Sequence, residues 1–484
     1  MTTLNRPESV QKVMSKAAAR PTAWLPSEEG EAITMFLPTM NIREVDPNPK
    51  MPDSLSRLKQ SWAYDLYKKR IKKFSLMRKL VNAMWSNFYP TYVQISAILY
   101  SSVANRWRRM VKMSDYVNAS NISSIKVFDV ERVDTPQPIV IQPEDQAYLQ
   151  SPHSYYEFPP IYVAQLSDAQ VYGKTNLVFV QDTVICHDLY DFISDYTSEE
   201  LHGHHIIDPK KKRMRLLRHD AAPEYIPTAA TFLDACASNY AHWLTEVLPR
   251  ITIFCSIEQY ADVPIIVDHD LHPNIMESLA LVVGNDREII ALPVGRAINV
   301  GILHITSATG YVPFERRNKK LAGHSHGLFS PLAFDQLHKR LLLFCDKPVR
   351  KEWPQKIYLR RNSIGRNVAN DIEVEQLLAD NGYVIVEPEK LTFLQQFALF
   401  SSADEIVGAS GAALANLIFA GSNARLHILI GRYKHTCFWY WQNIACASGN
   451  IIRYILGDIA DEHSGIHADF SIDSQSINSI SEPY

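Results

Sequence analysis

Hydrophobic and polar positions along this chain change rhythm several times, and each change marks an element boundary. Residues 1–55 are rich in proline and polar residues and predict a flexible N-terminal segment. Helical patterning follows over 56–120. From Ser124 onward, short β-branched and aromatic runs are broken by proline: "SIKVFDV", "QPIVIQ", "PPIYVAQL", "AQVYG" and "NLVFVQDTVICHDL". They predict strands and turns that open a new lobe. Between Thr231 and Thr309 a helix, "NYAHWLTEVLPRI", is followed by "VPIIVD", a helical "PNIMESLALVVG", "EIIAL" and "INVGILHIT". Strand and helix in alternation predict a parallel sheet with crossovers.

A helical bridge, "SPLAFDQLHKRLLLFC", leads to a second run of the same kind. It contains the strands "KIYLRR", "YVIVEP", "EIVGAS" and "RLHILI" and the helices "DIEVEQLLADNG", "FLQQFALFSSA" and "GAALANLIFAG". Asn370 with Glu373, and Thr392 with Gln395, have the spacing of N-terminal capping boxes, and Gly382 stands where the first helix should stop. The expected fold is α/β with two Rossmann-like lobes, 121–325 and 326–456, facing a cleft, followed by a C-terminal tail over 457–484. Ligands of open α/β sheets bind at the carboxyl ends of the strands.

The first helix of the earlier lobe carries polar groups on a greasy segment. His242 and Glu246 are four residues apart, so on a helix they share a face, while Leu244, Val247, Leu248 and Ile251 cover most of the rest. A buried His/Glu hydrogen bond in a core, half of a metal site and a general base oriented by its neighbour all fit that spacing. Pro249 should kink the helix one turn later.

Composition narrows the class. At 484 residues the chain exceeds what a single core usually supports, and a net charge of -3 argues against general nucleic-acid binding. Six cysteines are scattered with no Cys-x-x-Cys pair, as in a reduced compartment. The N-terminus shows no secretory pattern, so a cytoplasmic protein is expected. Basic clusters at Lys68–Lys73 and Arg106–Arg109 flank a charge-free run from Leu80 to Asn105 that is too polar for a good membrane helix. With its tryptophans and tyrosines, this basic arm fits the inner face of a membrane, a packed partner or a solvated helix face.

Two loops of the second lobe point to phosphate. Leaving "KIYLRR", Arg360, Arg361 and Arg366 surround the loop "NSIG", and guanidinium groups grip phosphate oxygens two at a time. One strand away, Gly408-Ala-Ser-Gly-Ala-Ala-Leu-Ala-Asn416 opens a helix with small residues that let a ligand approach the backbone N–H groups. The pattern is not the dinucleotide Gly-x-Gly-x-x-Gly. A third candidate, Asp268-His269-Asp270, has the Asp-x-Asp spacing of metal-dependent sugar transfer but is read as a solvated strand end.

Taken together, "NYAHWLTEVLPRI", "YLRRNSIGRNVANDIEVEQLL" and "LTFLQQFALFSSADEIVGASGAALANLIFAG" resemble glycosyltransferase family 61, known in bacteria for capsular polysaccharide biosynthesis, over about Pro159 to Phe470. The resemblance implies a GT-B-like enzyme that moves a sugar with inversion from a nucleotide donor, expected to be a UDP-sugar, to a glycan or lipid-linked glycan acceptor, with no metal and no other cofactor. It implies that Arg361, Arg366 and Arg360 hold the donor diphosphate. Ser410, Gly411, Ala412 and Asn416 would shape the nucleotide pocket. Glu246 would be the catalytic base and His242 its orienter or an acceptor contact. Many members carry histidine where Ser410 stands, so that contact to the nucleotide is lost here. A peripheral membrane contact and a homodimer are compatible with the sequence; nucleic acid is not an expected partner. Two alternatives stay open: a metal-dependent transferase using Asp268 and Asp270, and a non-catalytic sugar-nucleotide-binding scaffold subunit.

Overall fold

The computed structural model describes residues 20–26, 40–46, 106–151, 153–201, 205–216, 222–284, 286–313, 315–317, 327–344, 353–363, 365–422, 424–433, 438–460 and 467–481. Of the arm expected to be helical over 56–120, the stretch 56–105 lies outside them, while Arg108–Lys112 is a strand and Met113–Ala119 a helix. The protein is α/β, built on two large sheets.

In the first sheet, β1 (Asn41–Glu44), β2 (Glu224–Thr231), β3 (Ile265–Asp268), β4 (Glu288–Leu292) and β5 (Ala297–Thr306) are parallel in the order β1-β4-β3-β2-β5. Helix α1 (Leu248–Cys255) connects β2 to β3 and α2 (Pro273–Val283) connects β3 to β4. Beyond β5 the sheet turns antiparallel through the long strand Ile161–Tyr172 and the hairpin Val178–Val180/Thr183–Cys186. It ends on Arg108–Lys112, Arg213–Leu216 and His205–Asp208.

The second sheet is parallel in the order β7-β6-β8-β9-β10, from β6 (Lys356–Leu359), β7 (Val384–Val386), β8 (Glu405–Ala409), β9 (Arg425–Gly431) and β10 (Ile451–Ile459). Its order reverses between β6 and β8, the switch point at which open sheets leave a crevice. Both faces are covered. Ile357, Leu359 and Ile406 enter one apolar cluster while Tyr358, Val407 and Leu429 enter another. Burial on both faces explains why these strands read as unbroken apolar runs instead of alternating ones.

Helix α3 (Asp371–Asp380) ends as its sequence predicts. Gly382 has φ +83, its N–H reaches Ala379 O and the Tyr383 N–H reaches Leu378 O, a Schellman motif. Thr392 and Gln395 form both bonds of a capping box at α4 (Phe393–Ser402). The expected cap at Asn370 does not form. Its side chain instead exchanges hydrogen bonds with the backbone of Ile472 in the C-terminal tail, which sequence spacing cannot foresee.

The stretch expected to be flexible through residue 55 contains ordered pieces. β1 pairs with the edge of the first sheet, and Trp24 bridges Val386 at the edge of the second, its N–H donating to Ile385 O at 2.7 Å. Polar composition hid these pieces because edge pairing draws on backbone groups, not side chains. The two sheets also share a core. One apolar cluster runs from Val267 and Leu279 through Phe393 and Phe419 to Tyr454, and Glu277 on α2 accepts the N–H groups of Phe393 and Leu394 at the start of α4.

Candidate active site

The helix carrying His242 and Glu246 is not a uniform α-helix. It begins at Tyr240, where the Asn239 side chain caps the Ala241 N–H, passes into a π-helical turn over Trp243–Val247, and resumes as α1. Pro249 supplies the cause: it has no N–H for the Thr245 carbonyl and its ring crowds that carbonyl, so the preceding turn widens and Leu248 N–H bonds Trp243 O. The expected kink is therefore a wide turn placed at the polar pair itself. The chain after β5 fills the opening. Thr309 Oγ1 donates to Glu246 O at 3.3 Å, and Gly310 lies so close that a Cβ there would stand 2.2 Å from Thr245 O.

Within this turn His242 Nδ1 lies 2.5 Å from Glu246 Oε1, and Glu246 Oε2 accepts the Val312 N–H at 3.2 Å. Burial draws the His242 imidazole toward the neutral form. The Glu246 charge, the hydrogen bond to Glu246 and the charge of Asp234 outweigh it, and the net shift is upward. The pair borders a pocket also lined by Asn176, His187, Glu199, Asp234 and Tyr311.

The cavity wall holds groups that spacing in the sequence does not reveal. Asp234 accepts from Asn176 Nδ2 at 3.1 Å and lies 3.7 Å from Arg250 Nη2, whose Nε donates to Glu246 O. Glu199 accepts from Thr175 Oγ1 and Asn176 N–H, both at 3.0 Å, and burial, then the charge of Asp234, pushes its carboxyl up to about 7. His187, held down at about 3 mainly by burial, packs tilted against Tyr311 with ring centroids 4.4 Å apart. These residues come from segments far apart in the chain, and only the fold brings them to one wall.

Asp268 is a correction. Far from a solvated strand end, it is 1 % exposed, and its two carboxylate oxygens accept the N–H groups of Lys174 and Asp234 at 2.6 and 2.8 Å. Burial pushes its carboxyl up to about 6. Asp270 points into solvent beside His269, at φ +59. The Asp-x-Asp spacing thus serves the fold: Asp268 fixes the segment that presents Asp234. Among the described residues no cluster of three metal-ligating side chains occurs.

At the second sheet the arginine loop and glycine turn meet. The Arg361 guanidinium lies against Gly411, where a Cβ would stand 2.0 Å from its Nη1. Its hydrogen bonds go to neutral oxygens, Gly365 O at 3.1 and 3.0 Å and Ser363 Oγ at 3.2 Å, and burial, then the neighbouring Arg366, lowers it to about 10. Arg366 sits at φ +61 and bonds His467 O through its N–H, while Asp469 accepts the Asn367 N–H, so the C-terminal tail braces the loop.

Arg360 departs from the expected phosphate-binding set. It is 9 % exposed and bound to Glu375, Glu387 and Pro21 O, so its guanidinium ties β6 to α3, β7 and the N-terminal segment. The element after Gly411 is a 3-10 helix, Ala412–Phe419, with Ala412 exposed. Ser410 is buried and its hydroxyl accepts from Trp441 Nε1 at 3.2 Å. Asn416 is fully buried: it donates to Gln396 Oε1 and Ala413 O, and its Oδ1 accepts the Tyr240 hydroxyl at 2.9 Å. It ties the helix that begins at Tyr240 to the element that follows Gly411. Tyr240 is two residues ahead of His242, so this bond holds the polar pair's helix beside the element that starts at Gly411.

Residues 240–427 match the family Glycosyltransferase 61. No curated protein matches the chain. The matched span begins at Tyr240 and takes in every candidate residue of the site from His242 to Asn416.

Proposed function

We propose that this chain, which belongs to the glycosyltransferase 61 family and is a glycosyltransferase, works as a two-lobed GT-B enzyme that transfers a sugar with inversion from a nucleotide donor, a UDP-sugar by preference, to a glycan or lipid-linked glycan acceptor. The observation that supports the proposal is the Tyr240–Asn416 hydrogen bond at 2.9 Å, which ties the helix of the polar pair to the element that follows Gly411.

In the proposed reaction the acceptor hydroxyl oxygen attacks the anomeric carbon, and the bond from that carbon to the diphosphate oxygen breaks with its electron pair. The His242–Glu246 pair receives the hydroxyl proton. Both Glu246 oxygens already accept hydrogen bonds, and the imidazole pKa is raised, which strengthens it as a proton acceptor, so His242 is assigned the proton and Glu246 the charge that stabilises it. This reverses the roles expected from sequence. Arg361 and Arg366 neutralise the departing diphosphate, which supplies the charge stabilisation a divalent ion provides elsewhere. The acceptor enters the cavity beside Glu199 and Asp234, and the product is part of a capsule or another surface glycan.

A thermal-shift screen of nucleoside diphosphates and their sugars tests the donor class, since a ligand that binds only the folded state raises the melting temperature. A stabilising UDP-sugar that is hydrolysed or transferred in excess chelator is the expected result. Stabilisation without turnover against any acceptor would make the chain a binding subunit, and turnover abolished by chelator would restore a metal.

A further inference from the structure

Two basic segments far apart in sequence form neighbouring strands at one end of the first sheet. Arg108–Lys112 runs antiparallel to Arg213–Leu216, with Arg109 directly opposite Arg213. The Arg106–Arg109 segment brings two exposed cations, Arg106 and Arg109, while Arg108 lies over the Phe179 ring on the other face; the Lys210–Arg215 segment brings five more. Lys210, Lys211 and Lys212 are exposed in the turn. Among the described residues, Asp182 and Asp208 are the carboxylates that pair with this group, on Arg106 and Arg213. Like charges placed directly opposite each other weaken a strand pair, so the fold gains nothing from Arg109 facing Arg213.

Trp107 lies on the same face. It is 37 % exposed, and the guanidinium carbons of Arg213 and Arg215 stand 4.4 and 5.3 Å from its ring centroid. An amphipathic ring ringed by cations is suited to the headgroup level of a bilayer, where phosphates meet the first apolar atoms. The chain as a whole carries -3, so outside these two segments its sequence is net acidic. The sequence entering the strand at Arg106 is free of charge back to Leu80 and carries Trp85, Tyr89, Tyr92 and Tyr100. Nucleic acid would use the cations but not that composition.

We propose that this end of the first sheet, Arg106–Arg109 with Lys210–Arg215, is a docking surface for an anionic lipid bilayer. The surface stands apart from the His242 cavity, and its occupancy does not depend on the reaction assigned to the chain.

Sedimentation of the full-length protein with phosphatidylcholine vesicles, with and without phosphatidylglycerol, tests it. Binding should require the anionic lipid and weaken with salt. Lys210→Glu/Lys211→Glu/Lys212→Glu should lower partitioning on the order of 100-fold or more, as each cation near the surface contributes additively. Trp107→Ala should weaken binding with less change in its salt dependence. Melting temperatures matching wild type establish that the variants fold, and a lysine-to-glutamine triple variant replaces the charge reversal if they do not. Equal binding to neutral and anionic vesicles, or undiminished binding by the triple variant, overturns the proposal. So does tighter binding to an oligonucleotide or acidic polysaccharide that the triple variant loses.

Discussion

The Arg361 guanidinium occupies the space a side chain at position 411 would need: a Cβ there would stand 2.0 Å from Nη1. Gly411 has φ -173, an extended conformation open to any residue, so close approach and not backbone freedom requires glycine. Gly411→Ala should therefore push Arg361 out of place and weaken UDP binding by about 1–3 kcal/mol, as should Arg361→Ala directly. Calorimetric titration with UDP and with uridine checks it. Unchanged UDP affinity in both variants would move the diphosphate elsewhere.

Arg360→Ala tests the division of labour between adjacent arginines. Removing it leaves Glu375, 0 % exposed in its side chain, with one fewer cation, and a buried ion pair broken on one side loses about 3–5 kcal/mol. Denaturant melts should show that loss, while UDP affinity per folded molecule stays at the wild-type value. A selective loss of UDP affinity would return Arg360 to the phosphate site.

Glu246→Gln keeps the shape of the pair and removes its charge. Turnover should fall roughly 100-fold or more with UDP affinity retained. The His242 pKa is raised in the folded state, so its stabilising contribution is full below the unfolded pKa and is lost as pH rises through the folded value. That decline in melting temperature toward alkaline pH should be smaller in the variant, because the largest upward influences on the imidazole come from Glu246. A Gln variant with wild-type turnover would remove the pair from catalysis.

Glu199 makes the opposite kind of test. Its carboxyl is raised from 4.5 to about 7 by burial, so between those values the folded state holds a proton that the unfolded state has released, and stability falls as pH rises. Glu199→Gln removes this penalty while keeping an acceptor for Thr175 and Asn176. The variant should match wild type near pH ~5 and exceed it near pH ~8 by up to about 3 kcal/mol, measured by parallel melts. A variant less stable at both values would mean that the charged carboxylate is the stabilising form.

The sequence by itself determined the alternation of strands and helices around both large sheets, because continuous apolar runs, capping residues and the glycine after α3 act within a few residues of one another. Thr392 with Gln395, and Gly382, kept their local meaning in the fold. His242 and Glu246 were legible for the same reason: their spacing alone places them together. Tertiary structure decided what local spacing cannot carry. It took Arg360 into a buried ion-pair network, turned Asp268 inward to hold two N–H groups, and gave Asn370 to the C-terminal tail. It gathered Asp234, Glu199 and His187 onto one wall from separate strands and turns, and it recruited Asn41–Glu44 as an edge strand. In each case the partner lies far away along the chain, so burial and long-range pairing, and not residue type or periodicity, fixed the role.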